Sequence, residues 1–245
     1  MTTPPRRPGG SGRSLTQRLR TAGRRRPSSI RWLERQINDP YVAEAQRRGY
    51  RSRAAFKLQQ LDDRFHLLGP GKRVIDLGAA PGGWTQVAVE RCLPSVGKEG
   101  GGKEGGGRQG RVVGIDLTPM QPVPGAELLE GDFLAPEAPA RLKAALGGPA
   151  DVVLSDMAAP ATGHARTDHL KIMALAEAAH AFAVEVLKPG GAFIAKVLQG
   201  GATQELLKAL KRDFAEVRHV KPMASRADSA EIYVVALRFR PQAGS

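Results

Sequence analysis

The sequence has almost no cysteine, no long apolar run and no acidic residue before Glu34, and each shortage excludes something. Cys92 is the only cysteine in 245 residues, which rules out an internal disulfide and a cysteine-built zinc site and suits a reducing compartment. No apolar stretch approaches the roughly 18 residues that a membrane helix needs, so a soluble protein without membrane attachment is expected. The Arg-rich N-terminal stretch has no apolar segment ending in a small-residue cleavage site, and a cytoplasmic location is expected. The G-x-G-x-x-G of dinucleotide binders is also missing. His164 and His169 share one loop, but no third ligand stands at metal spacing, so no metal is expected.

What is present is a chain long enough for one well-buried α/β domain with an appendage. The formal net charge is +13, and its position matters more than its size. Residues 1–57 carry 15 Lys/Arg against Glu34, Asp39 and Glu44, whereas residues 58–245 carry 22 basic against 21 acidic residues. A basic segment on a near-neutral body is the footprint of a nucleic-acid binder, because phosphate contacts release counterions. A solvated tail that aids solubility is the plainer alternative. Residues 1–29, rich in Pro, Gly, Ser and Arg without apolar periodicity, read as a disordered arm. Residues 30–245 read as the folded domain. Within it, 30–70 form a basic helical lead-in, broken around Asp39-Pro40, with a second helix from Ala54 to Leu61; 97–110, GKEGGGKEGGGRQG, form a flexible loop. Arg47, Arg48, Arg51 and Arg53, with Arg226 further on, are the candidate RNA contacts. Trp32 and Tyr41 lie near arginines and suit either base stacking or anchorage to the core.

The stretch Arg73–Gln86, RVIDLGAAPGGWTQ, organises the rest. It reads as a strand with Asp76 near its end, a turn of small residues around Gly82 and Gly83, and a helix opening at Trp84. Glycines allow close backbone approach, and a helix N-terminus offers free N–H groups. Pro81 lacks an N–H and suits a rigid turn better than a phosphate cradle. The corner therefore points to S-adenosylmethionine rather than a nicotinamide dinucleotide. Further strands are expected at Arg111–Leu117, Ala126–Glu130, Asp151–Ser155, Ala192–Leu198, Glu216–Lys221 and Glu231–Phe239. Helices are expected at Glu137–Leu146, from about His169 to Leu187, and at Thr203–Phe214. The alternation predicts an α/β, Rossmann-like, doubly wound and mostly parallel seven-stranded sheet, its final strand pair antiparallel at or near the edge.

Acids recur at or just beyond the strands: Asp76, Asp116, Asp132 and Asp156. Parallel strand ends share one edge, so these carboxylates converge on one crevice. Asp116 is placed to accept from ribose hydroxyls, and Asp132 with Phe133 to bind and flank an adenine. A second set is Lys57, Asp156, Lys196 and Glu231. Lys196, within FIAKVL, is the odd residue, since a lysine in a central strand is costly unless paired. A structural ion pair is one reading. The other is that a desolvated lysine beside Lys57 gives up its proton readily enough to act as a base on a ribose hydroxyl.

With DLGAAPGGWTQ at 76–86, SDMAAPATGH at 155–164, KPGGAFIAKVLQG at 188–200 and SRADSAEIYVVAL at 225–237, the chain resembles the FtsJ/RlmE family of ribosomal RNA ribose methyltransferases from about Ile30 to Arg240. The resemblance implies the class I fold that uses S-adenosylmethionine and a Lys-Asp-Lys-Glu tetrad for 2′-O-methylation. That places Lys57, Asp156, Lys196 and Glu231 in the site, with Lys196 as proton acceptor. It carries Gly82 and Trp84, Asp116, Asp132 and Asp156 to the cofactor, and implies a uridine in the A-loop of large-subunit rRNA as target. The implied partner is that rRNA within the ribosomal subunit, and a monomer is expected. DMAAP departs by one position from the DMAP of the family pattern. The N-terminal arm and the 97–110 loop lie outside that pattern. The rival readings are the same chemistry on tRNA or an mRNA cap, and a non-catalytic rRNA-binding or assembly factor.

Overall fold

The computed structural model describes residues 33–34, 36–93, 109–160, 162–200 and 204–241. The expected arm, Trp32 and most of the 97–110 loop lie outside the described residues.

The lead-in helices start and stop where their residues dictate. Helix α1 (Pro40–Arg48) begins at the Asp39-Pro40 step: the Asp39 side chain accepts from the Tyr41 N–H, proline takes the first turn where no donor is needed, and Gly49 ends the helix at φ 74°. Helix α2 (Ala54–Phe65) follows and ends at His66, itself left-handed at φ 53°. Strand β1 (Arg73–Leu77) then enters the core, and helix α3 (Gly83–Cys92) leaves the corner after it. The remaining order is β2 (Arg111–Asp116), β3 (Ala126–Glu130), α4 (Ala138–Leu146), β4 (Ala150–Ser155), α5 (Ala165–Val186), β5 (Leu187–Leu198), α6 (Gln204–Asp213), β6 (Phe214–Val220) and β7 (Glu231–Phe239).

These strands form a seven-stranded sheet in the order β3-β2-β1-β4-β5-β7-β6. β1 to β5 are mutually parallel, and β7 is antiparallel to both its neighbours, β5 and β6. The expected doubly wound sheet and its antiparallel closing pair are thus what the chain forms, with β7 inserted inside β6. The period of two sorts each strand between two apolar layers. On one face, Val74, Val112, Leu154, Ile194 and Tyr233 meet Leu58 and Leu61 of α2 and Trp84 and Val87 of α3. On the other, Ile75, Val113, Val153, Phe193 and Val234 pack with Leu142, Met173, Phe182 and Leu210 of α4, α5 and α6.

Several boundaries differ from the sequence reading: α5 begins at Ala165 rather than about His169, which puts His169 on the helix and not in a loop, and β6 begins at Phe214 rather than Glu216. Lys188-Pro-Gly-Gly191 reads as a turn, yet α5 ends at Val186 and β5 already begins at Leu187. The β4–β5 register shifts between Ala150 and Val152, so an irregularity in the ladder absorbs the proline and glycines. Strand order reverses between β1 and β4, and the crevice for a ligand opens at the carboxyl ends of those two strands.

Candidate active site

Two sets of charged residues meet at that crevice. On the corner side, Gly78, Asp116, Leu117, Asp132, Phe133, Met157 and Ala158 line an open cleft. The Asp116 carboxylate is oriented by backbone: Oδ2 accepts from the Ala80 N–H at 3.0 Å and Oδ1 from the Thr118 N–H at 2.8 Å. Asp132 Oδ1 accepts from the Leu134 N–H at 2.9 Å, which holds the turn after β3, and the Phe133 ring sits edge-on to Phe182 at 5.5 Å. Gly78 has φ 76°, and a Cβ there would stand 2.8 Å from the Met157 Cα. The β1 and β4 ends therefore close up only because this residue is glycine.

Asp76 is fully buried. Its Oδ2 accepts from the Thr85 hydroxyl at 2.7 Å, and its Oδ1 has no hydrogen-bond partner among the described residues. Burial pushes this carboxyl up to about 7, with Asp156 and Asp116 adding to the rise. Asp76, Asp116 and Asp156 lie within mutual influence, so this wall is rich in carboxyl groups. A wall with an unsatisfied carboxyl oxygen, the backbone-oriented Asp116 and an apolar slot beside Phe133 fits S-adenosylmethionine, which carries a sulfonium and an ammonium. Helix α3 starts at Gly82 (φ 109°) with no side-chain cap, so its first-turn N–H groups remain for a ligand. The indole of Trp84 faces away from the cleft: it donates to the Ala54 carbonyl at 2.8 Å and packs on Tyr233 at 5.5 Å. Gly83 is likewise covered by α2, where a Cβ would meet the Ser52 hydroxyl. Any cofactor contact these two make is through backbone.

The second set is hydrogen-bonded from end to end. Lys196 faces Tyr233 across the β5–β7 ladder, and Glu231, two residues earlier, shares Tyr233's face. Lys57 comes down from α2 onto that face. Its Nζ bonds Glu231 Oε2 at 3.0 Å and the Tyr233 hydroxyl at 3.1 Å. Tyr233 in turn donates to Asp156 Oδ1 at 2.8 Å. Lys196 Nζ lies 3.1 Å from the same Oδ1 and donates to the Asp156 carbonyl at 2.7 Å. The side chain of Lys196 is only 5% exposed. Burial first, then Asp156 and Glu231, push the Tyr233 phenol well above its ordinary range, so its hydroxyl keeps its proton and its direction of donation is fixed. The four residues expected from the sequence are thus brought together, and Tyr233, which sequence reasoning missed, joins them. The period of two in EIYVVAL places Tyr233 on Glu231's face, but only the β5–β7 register puts it opposite Lys196. Lys57 and Glu231 also line a second groove, with Gln36, Arg53, Arg226, Asp228 and Ser229. The network therefore stands between the carboxyl-rich cleft and a groove lined by three cations and two carboxylates.

The candidate RNA contacts are placed unequally. Arg47 and Arg48 are exposed and pair with Glu44. Arg53 is largely buried, with Nη1 2.6 Å from Asp39 Oδ2, and Arg226 approaches the same oxygen at 3.4 Å. The Arg51 guanidinium, expected to face RNA, instead donates to the backbone carbonyls of Gln121 and Pro122. Both of its terminal nitrogens are engaged with backbone carbonyls. Among the described residues no group of three or more His, Cys, Asp or Glu side chains is arranged to hold a metal ion.

Two outcomes follow from this geometry. Asp76 has a folded-state value near 7 against 3.8 for the free group, so the native state binds the extra proton between those values. Its contribution must fall as pH rises from 4 to 7, by at most about 1.4 kcal/mol per pH unit. Urea denaturation of the cofactor-free protein and of Asp76→Asn across that range should show the difference in stability shrinking to a plateau below pH 4 and moving in the variant's favour up to pH 7; a pH-independent difference would refute the assignment. Tyr233→Phe leaves Lys57 and Asp156 each one bond short while keeping the ring. Methyl transfer at saturating substrates should fall about ten- to a hundredfold, the cost of one or two charge-assisted bonds, with S-adenosylhomocysteine affinity retained. An unaltered rate would show that the hydroxyl does not organise the lysines.

A family model described as FtsJ-like methyltransferase matches residues 50–239. The ribosomal RNA large subunit methyltransferase E of Paramagnetospirillum magneticum is 63% identical over 233 residues, covering 95% of this chain and 92% of that protein. Its counterpart from Parvibaculum lavamentivorans is 59% identical over 236 residues, covering 96% and 91%. Among solved structures, a protein assigned as a ribosomal RNA methyltransferase from Plasmodium falciparum matches with a TM-score of 0.66 and 30% identity over 79% of this chain and 100% of that one. The carboxyl-rich cleft and the fold agree with these likenesses, and the chain belongs to the FtsJ-like methyltransferase family, which takes its methyl group from S-adenosylmethionine.

Proposed function

We propose that this protein methylates the 2′-hydroxyl of a uridine ribose in the A-loop of large-subunit rRNA, as a cytoplasmic monomer acting on RNA within the ribosomal subunit. The observation that carries the reaction type is the buried Lys196, held by Asp156 at the seam between the cofactor cleft and the groove lined by three cations and two carboxylates. The rRNA target is supported by the large-subunit rRNA methyltransferases that match this chain nearly end to end. The uridine and the A-loop rest on the motif resemblance.

S-adenosylmethionine supplies an electrophilic methyl group. The chain's own residues do the rest. Asp116 would accept from the cofactor ribose, Asp132 and Phe133 would hold the adenine, and the first-turn N–H groups of α3 at Gly83 and Trp84 would meet its other end. The acceptor nucleotide enters from the groove side. Lys196 takes the hydroxyl proton on Nζ as the oxygen bonds to the methyl carbon and the bond from that carbon to sulfur breaks. The ammonium that forms, with Lys57 beside it, offsets negative charge developing on that oxygen. Asp156 fixes Lys196, and Glu231 balances Lys57. Much of the acceleration comes from holding hydroxyl, base and methyl group in one line.

Lys196→Ala should bind S-adenosylhomocysteine normally and lose methyl transfer by about a thousandfold, within the range of general-base contributions. Near-normal turnover would remove Lys196 as the base. Ribose-methylation mapping of rRNA from cells with and without the gene should show one lost 2′-O-methyl mark, at an A-loop uridine. A mark lost from tRNA or mRNA instead would overturn the rRNA assignment.

A further inference from the structure

Arg51 stands among exposed arginines in the sequence, but its contacts all lie inside the domain. Its backbone N–H donates to Gln86 Oε1 at 2.9 Å, and Gln86 Nε2 donates back to the Gly49 carbonyl at 3.0 Å, so the α1–α2 turn is pinned to α3. Its guanidinium spans two segments. Nη1 donates to the Gln121 carbonyl at 2.5 Å and more weakly to the Pro81 carbonyl at 3.4 Å, and Nη2 donates to the Pro122 carbonyl at 2.6 Å. Those carbonyls belong to the corner after β1 and to the loop after β2. The same segments are joined on the cleft side by Asp116, through the Ala80 and Thr118 N–H groups. The loop 117–125, LTPMQPVPG, has three prolines and so few donors with which to tie itself down. Val123, buried at 4% exposure, anchors one end, while Leu117 lines the cleft at the other.

We propose that Arg51 is a positioning residue for the cofactor: it clamps the 117–125 loop to the corner, so that Asp116 and Leu117 stay at the cleft mouth in the geometry that binds the nucleoside. The corner is built around this side chain, since a Cβ at Gly82 would stand 3.0 Å from Arg51 Nη1. A guanidinium is suited to the task because its planar fork reaches two successive carbonyls at once, whereas an ammonium is a single point of donation. The inference rests on the use of S-adenosylmethionine and is independent of which RNA is the substrate.

Arg51→Lys and Arg51→Gln in the full chain separate this role from a phosphate contact. Calorimetry with S-adenosylhomocysteine should show affinity reduced about tenfold in both variants, since lysine keeps the charge but not the fork; that loss corresponds to about 1.4 kcal/mol. KM for S-adenosylmethionine should rise with kcat at saturating cofactor close to wild type. The amides of Thr118, Met120 and Gln121 should exchange hydrogen faster in the variants. RNA affinity and its salt slope should not change. Wild-type cofactor affinity in either folded variant overturns the proposal, as does an RNA salt slope reduced by about one with cofactor binding intact, the mark of a lost phosphate contact. Failure of the wild-type protein to bind S-adenosylhomocysteine would instead refute the cofactor itself.

Discussion

A lysine in the middle of a central strand is tolerated only where an anion meets it, and that requirement at Lys196 organises this half of the molecule. Val197 beside it is fully buried and Ala195 before it likewise, so the Lys196 ammonium has no route to bulk water along its own strand. Asp156 supplies the anion, accepting from Lys196 while its backbone N–H is held by the Leu77 carbonyl at the end of β1. A buried pair broken on one side leaves an uncompensated charge, at a cost of about 3–5 kcal/mol. The second cation, Lys57, is balanced by Glu231 in the same way. Tyr233 couples the two pairs, because its protonated hydroxyl can accept from one lysine only while donating to the other lysine's carboxylate.

Topology follows from this constraint. Lys57 reaches the network only because α2 packs on the β5–β7 face, so the basic lead-in is structurally part of the domain. Tyr233 reaches it only because β7 runs antiparallel beside β5, which sets Lys196 opposite Tyr233 and Leu198 opposite Glu231. The reversed strand is therefore what completes the site. Asp156 stands between two polar regions: Asp76 and Asp116 lie on the cleft side, and Lys57, Arg53 and Arg226, paired with Glu231 and Asp39, border the groove on the other.

Much of this was legible in the sequence for a simple reason. Strand ends in a parallel sheet share one edge, so acids at Asp76, Asp116, Asp132 and Asp156 could be placed together without any knowledge of contacts. The anomalous Lys196 could be singled out because its strand is otherwise apolar. Tyr233 was not legible, since a tyrosine in a strand is ordinary and its role depends on pairing register, which a single sequence does not encode locally. Trp84 was carried to the cofactor by the family resemblance, and its indole lies at the interface with α2, which only a helix packed there reveals. The β5 boundary was misplaced because proline and glycines were read as a stop, whereas an irregularity in the β4–β5 ladder accommodates them.

The basic segment yields the sharpest difference between counting charge and locating it. In residues 33–57 the described cations are already committed: Arg47 and Arg48 to Glu44, Arg53 to Asp39, Lys57 to Glu231, and Arg51 to backbone carbonyls. An RNA phosphate reaching any of these must displace a carboxylate or a carbonyl, which reduces the net gain to a difference between two similar interactions. Residues 1–32 carry nine arginines and no acid. The uncompensated charge of the chain therefore sits in that stretch, and it is there, rather than on the lead-in helices, that counterion release on meeting a polyanion is greatest. The arginines of the lead-in are engaged within the fold, and most of the chain's excess positive charge lies ahead of them in the sequence.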